Sequence, residues 1–150
     1  MKNIRSSLLL LTVLVLSACG GEPPDNRPGQ PVAHRRAAFK EILKAFEPMG
    51  VMFRTGSFDA AKFQQLTSEL MARRDAPWDY FLPDTLYPPS HAKAEVWSEP
   101  EKFARAKRDF YAATDRLAAV AGTTDKRTAE AAWSAVETTC KGCHQDFKTR

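Results

Sequence analysis

Cys140-Lys141-Gly142-Cys143-His144 is the stretch that decides the reading of this chain. C-x-x-C-H is the pattern in which two thiols form thioether links to the vinyl groups of a c-type haem while the histidine supplies an axial iron ligand. On a helix the three side chains fall at i, i+3 and i+4, so they share one face and can grip one ring. Only Gln145 to Arg150 follow in the sequence, so a second protein ligand to the iron would have to come from far upstream. Rival readings of the motif need other contexts. A thioredoxin-like C-x-x-C follows a strand in a βαβ unit, whereas the flanking residues here read as helix. A zinc site needs four ligands, and the other histidines are His34 and His91.

Outward from the motif, the apolar spacing predicts four helices. The first runs from about Val32 to Met49 with a stripe of Phe39, Ile42, Leu43 and Phe46, and Pro48-Met49-Gly50 is its expected stop. The second runs from about Phe58 to Arg74 behind Ser57 as N-cap, with Phe63, Leu66 and Leu70 facing inward. Asp75 to Val96 reads as irregular, since Pro77, Pro83, Pro88 and Pro89 forbid a continuous helix. Its Trp78, Tyr80, Phe81 and Tyr87 give that loop something to bury. Ser98-Glu99-Pro100-Glu101 opens a third helix with Ser98 as N-cap, Phe103, Phe110, Leu117 and Val120 as its stripe and Gly122 at its end. The fourth begins near Thr124-Asp125 and carries Ala129, Trp133, Val136, Cys140, Cys143 and Phe147. No segment alternates as a strand would. The expected fold is all-α, an antiparallel four-helix bundle over residues 32–150 with one covalently attached haem.

The other end of the chain reads as a targeting signal. Lys2 and Arg5 precede an apolar run from Leu8 to Leu16 that is short for a membrane span. Leu16-Ser17-Ala18-Cys19 resembles a bacterial lipobox, which implies a signal peptide over residues 1–18 and lipidation of Cys19; an ordinary signal peptide is the alternative. Residues 19–31, with Gly-Gly, Pro-Pro and Pro-Gly pairs, read as a flexible tether. One cysteine for lipid and two for haem leave none for a disulfide. The formal charge of +4 falls with the loss of Lys2 and Arg5, and no basic stripe interleaves with aromatics, so nucleic-acid binding is not expected.

The terminal C-x-x-C-H, four helices and the run Ala92-Lys93-Ala94-Glu95-Val96-Trp97-Ser98 together resemble cytochrome c′ over about residues 33–149. Ala76-Pro77-Trp78, Phe103 and Thr139 before the motif add to the likeness. The resemblance implies one haem c, covalently bound through Cys140 and Cys143. It implies His144 as the axial ligand, high-spin five-coordinate iron, and NO or CO as ligand. In that family an arginine precedes by four residues the side chain that covers the distal iron face. Arg35-Arg36-Ala37-Ala38-Phe39 matches, with Phe39 as the distal cover and Arg35 as a haem propionate contact. From spacing alone Phe39 fits the bundle core as well as Phe46 does, and Arg36 competes for the propionate. Lys148 takes the place of a proximal cation near His144, although a lysine there also suits the helix dipole. Trp78 and Trp97 read as haem-edge or core packing, and Met49, Met52 and Met71 as core fillers rather than iron ligands.

The expectation is therefore a non-enzymatic, lipid-anchored periplasmic cytochrome that binds NO, for sequestration or protection against nitrosative stress. A homodimer through the first two helices is implied by the resemblance, and the outer membrane is favoured because Gly20 and Gly21 lack the aspartate of an inner-membrane retention signal. One-electron transfer in a respiratory chain, with no known redox partner, is the alternative. A peroxidase-like role would want polar acid–base groups over the iron, where Phe39 and Ala38 stand instead.

Overall fold

The computed structural model describes residues 23–149. The signal peptide over residues 1–18 and the lipidation at Cys19 lie outside the described residues. Four long helices, α1 (Pro31–Arg54), α2 (Ala60–Arg73), α4 (Pro100–Ala119) and α5 (Lys126–Phe147), build the domain, with a one-turn α3 (Glu95–Ser98) leading into α4. Helix α1 packs on α2 and α5, and α4 packs on α5 and α2, which closes a ring of four helices. Short connections over 55–59 and 120–125 make the paired helices antiparallel. Among the described residues there is no strand, and no helix is long and apolar enough to cross a membrane. The fold is the four-helix bundle expected from the periodicity.

The first helix overruns its expected stop. Pro48 lies inside α1, which continues to Arg54. An interior proline costs about 3 kcal/mol because it removes one backbone bond and crowds the preceding turn. The extra turns bury Met49, Met52 and Phe53, and about 1.5–3 kcal/mol for each such side chain outweighs the proline. Phe53 stacks on Phe58 and meets Phe63 edge-on, so the end of α1 is tied to the start of α2. Burial, which a local breaker signal does not register, decides the length.

Helix starts also moved by a residue or two. Asp59, not Ser57, caps α2 by accepting from Lys62 N at 2.8 Å, while Ser57 Oγ pairs with Thr55 Oγ1 at 2.7 Å. Ser98 is spent as the last residue of α3, so α4 begins at Pro100 with Glu99 as an N-cap whose side chain bonds no backbone N–H of the first turn. Asp125 caps α5 through Arg127 N and Thr128 N. The packed domain reaches back into the expected tether. Asp25, 3% exposed, accepts from Val32 N at 2.9 Å, Ala33 N at 3.2 Å and Tyr87 Oη at 2.9 Å. Its carboxylate satisfies the free N–H groups and faces the positive end of α1, which Gln30 leaves without a side-chain cap.

Candidate haem site

Helix α5 runs unbroken through the C-x-x-C-H motif, so Cys140, Cys143 and His144 share one of its faces. That face lines a groove of about 400 Å³. Across from it, α1 contributes Phe39 and Ile42, the loop contributes Trp78 and Phe81, and α4 contributes Phe103 and Phe110. The aromatic rings form one connected cluster. Trp78 meets Phe39 edge-on at 5.7 Å and Phe110 at 5.8 Å, and Phe103 lies 4.9 Å from Phe81 and 5.2 Å from Phe147. Such edge contacts add to plain burial and hold each ring in a defined place.

Apart from the Thr139 hydroxyl, the other polar groups on the groove are basic: Arg35, Arg36, Lys40, His91 and Lys148. No carboxylate stands among the described residues that line it. A flat apolar macrocycle with two carboxylates on its edge suits these walls, with aromatic faces for the ring and cations for the edge. Burial pushes both cysteine thiols up to about 11. Thiols in this wall thus favour the uncharged state, and a thioether, which carries no charge, fits the same surroundings. The residues present fit a covalently held haem.

Partial burial, helped by the Lys148 cation, holds the His144 imidazole below its ordinary pKa. The neutral imidazole is the form that binds a metal. Lys148 does not continue the helix. Helix α5 ends at Phe147, and Lys148 is extended, with its N–H on His144 O at 3.1 Å. It pairs with Ala92 in an isolated antiparallel bridge, flanked by Lys93 N on Phe147 O at 2.9 Å and Thr149 N on His91 O at 2.8 Å. Residues 91–93 of the loop thereby clamp the end of the helix that carries His144. Lys148 nonetheless lines the groove.

Arg35 also lines the groove. It is 4% exposed, and its guanidinium is turned into the loop, where it bonds Tyr80, Thr85 and Ser90. Burial lowers its pKa, partly opposed by Tyr87 and Asp25. Arg36 lines the groove beside it. His34 is exposed and stacks on Tyr80 at 5.2 Å, away from the groove. Trp97 donates to Leu82 O at 3.1 Å and so packs the loop instead of the groove. Met49 and Met52 are buried in the bundle core, and neither they nor Met71 line the groove. His91 is a lining residue that sequence reasoning missed, as are Lys40 and Ala106; a lone loop histidine carries no periodicity, and the bridge to the C-terminal segment brings it here.

The family model for cytochrome c′ matches residues 30–148. The cytochrome c′ of Rubrivivax gelatinosus is 31% identical over 126 residues, spanning 83% of this chain and 98% of the relative. The structure of cytochrome c prime from Shewanella frigidimarina superposes with a TM-score of 0.78 at 27% identity, over 83% of this chain and 98% of that one. A ferrous arginine-to-lysine variant of the Alcaligenes xylosoxidans protein with bound NO superposes with a TM-score of 0.76 at 26% identity, over 83% and 98% of the two chains. A carbon monoxide complex of a variant of the same protein also matches, with a TM-score of 0.76 at 25% identity and the same coverage, 83% and 98%.

Proposed function

The chain belongs to the cytochrome c′ family, whose members carry one covalently attached haem c, and from that premise we propose that it binds NO, and CO, at an iron held on one side only. Bound haem supplies an iron centre whose ferrous state takes up neutral diatomic ligands. Cys140 and Cys143 would hold the ring by thioethers, and His144 would supply an iron ligand. The observation that carries the reading is Phe39, which lines the same groove as His144 and offers the iron no lone pair. Its ring, boxed by Trp78 and Phe81, keeps the distal side apolar and disfavours water and anions. A small neutral ligand loses little on entering such a place, whereas a hydrated anion loses its solvation. Lys148, Arg36 and Lys40 on the groove lining would supply positive charge to the propionate edge or to a proximal ligand.

The physiological role that follows is NO sequestration and protection from nitrosative stress, in a periplasmic protein anchored through Cys19. A second copy of the chain docks on the outer face of α1 and α2. Leu43 and Val51, 42% and 47% exposed, flank a shallow apolar groove there that Met52 and Leu66 floor and Lys44, Glu47 and Lys62 rim. Titrating the ferrous holoprotein with NO tests the ligand assignment. Stoichiometric uptake with a shifted Soret band is expected, and an unchanged spectrum contradicts it.

A further inference from the structure

Arg35 stands one helical turn before Phe39 on the same face of α1. Its Nη1 donates to Tyr80 O at 3.0 Å and Thr85 Oγ1 at 3.1 Å, and its Nη2 to Thr85 O at 3.2 Å and Ser90 Oγ at 2.8 Å. These four bonds span the loop from residue 80 to residue 90. The same guanidinium covers the face of Phe81, with Cζ 4.5 Å from the ring centroid. Phe81 lies 6.3 Å from Phe39 and 6.2 Å from Trp78, and Trp78 meets Phe39 at 89°. Trp78 is itself pinned by its indole N–H on Arg74 O at 2.8 Å. The Phe39 ring thus rests in a corner whose one wall, Trp78, is tied to α2. The other wall, Phe81, is held by Arg35.

A buried guanidinium released from such acceptors leaves charged donors unpaired, which costs the full desolvation of each group. The loop is therefore not free to lift while Arg35 is in place. Lysine keeps the charge but cannot reproduce the planar fork that reaches four acceptors. A second tie, Tyr87 Oη on the Asp25 carboxylate at 2.9 Å, joins the far end of the loop to the start of α1.

We propose that Arg35 is a positioning residue for the distal face: by holding the loop and the face of Phe81 it sets where the Phe39 ring stands, and with it how readily a diatomic ligand reaches the iron. The inference rests on the distal assignment of Phe39. It gives Arg35 a role in access beside the propionate contact that the family resemblance implies.

The test is stopped-flow CO association to the ferrous full-length holoprotein as wild type, Phe39→Ala, Arg35→Lys and the double variant, with amide hydrogen exchange across residues 80–90. Arg35→Lys is expected to speed CO association about fivefold or more, within the coupling range of contacting residues. Phe39→Ala should also bind CO faster, and the double variant no faster than Phe39→Ala alone. The amides of Phe81 and Ser90, bonded to Trp78 O and Tyr87 O, should exchange faster in Arg35→Lys. A wild-type rate for Arg35→Lys beside an accelerated Phe39→Ala overturns the positioning role and leaves the distal assignment standing. An unchanged rate in Phe39→Ala overturns the distal assignment itself. Independent, multiplying effects in the double variant also overturn the proposal, since Arg35 would then act elsewhere than through Phe39. Ser90→Ala, which removes one acceptor and strands no charge, guards against misfolding of the lysine variant. It should give a smaller acceleration, and a wild-type rate there contradicts the inference.

Discussion

Trp133 of α5 lies so close to Gly50 of α1 that a Cβ on the glycine would stand 2.5 Å from indole Cζ2. The same indole stacks on Phe46 at 5.2 Å and donates to Phe46 O at 3.3 Å. The helix that carries the haem motif and the helix that carries Phe39 are thus locked to one another by a ring that needs an absent side chain opposite it.

Replacing Gly50 by Ala should therefore destabilise the domain, although alanine is the better helix former. Crowding of a packed site costs about 1–3 kcal/mol, more than the roughly 1 kcal/mol that helix propensity returns. Denaturant unfolding of the holoprotein checks this. A midpoint equal to or above that of the wild type would show that Trp133 has room to move.

Phe39→Met should convert the haem toward six-coordinate low spin, because the thioether brings a lone pair to a position that now has none. Absorption of the ferric and ferrous forms reads the change directly. An unchanged spin state would mean that residue 39 does not face the iron.

Acid should loosen the start of α1 through Asp25. Desolvation raises its pKa, but the bonds from Arg27, Tyr87, Ala33 and Val32 outweigh it and hold the carboxyl below 3.8. A depressed folded pKa contributes stability that is fully present above the unfolded value and lost as pH falls through the folded one. Wild type should thus exceed Asp25→Asn in thermal stability at pH 7, and the gap should close as pH drops below about 4. A gap that persists at pH 2 would argue that the carboxylate charge is not what holds the segment.

Val51→Asp should shift the protein toward monomer, by placing a charge in the apolar groove beside Leu43 on α1. Sedimentation velocity of the holoprotein gives the answer. A mass unchanged from that of a wild-type dimer would move the interface elsewhere.

The parts of this molecule that were legible in the sequence are those that repeat a local rule. C-x-x-C-H announces the haem wall, and i, i+3, i+4 spacing announces the four helices. Long-range contacts account for the rest. Pro48 reads as a stop until Met52 and Phe53 are seen to be buried beyond it. Ser57 and Ser98 are plausible caps, but the chain spends one on a turn hydroxyl pair and the other on α3. Arg35 was recognisable as a functional position through the family resemblance, yet its partners sit 45 to 55 residues away in a proline-rich loop that has no period to read. His91 and Asp25 were hidden for a like reason: His91 meets Thr149 58 residues away, and Asp25, besides its bonds to nearby Val32 and Ala33, meets Tyr87 62 residues away.

The claim on which the rest depends is that the iron has no second protein ligand. The absorption spectrum of the purified holoprotein, ferric and ferrous, before and after NO, tests it most directly. A broad high-spin ferrous Soret band that shifts on NO addition is the predicted result. A sharp low-spin spectrum indifferent to NO would contradict it and hand the protein to the electron-carrier reading.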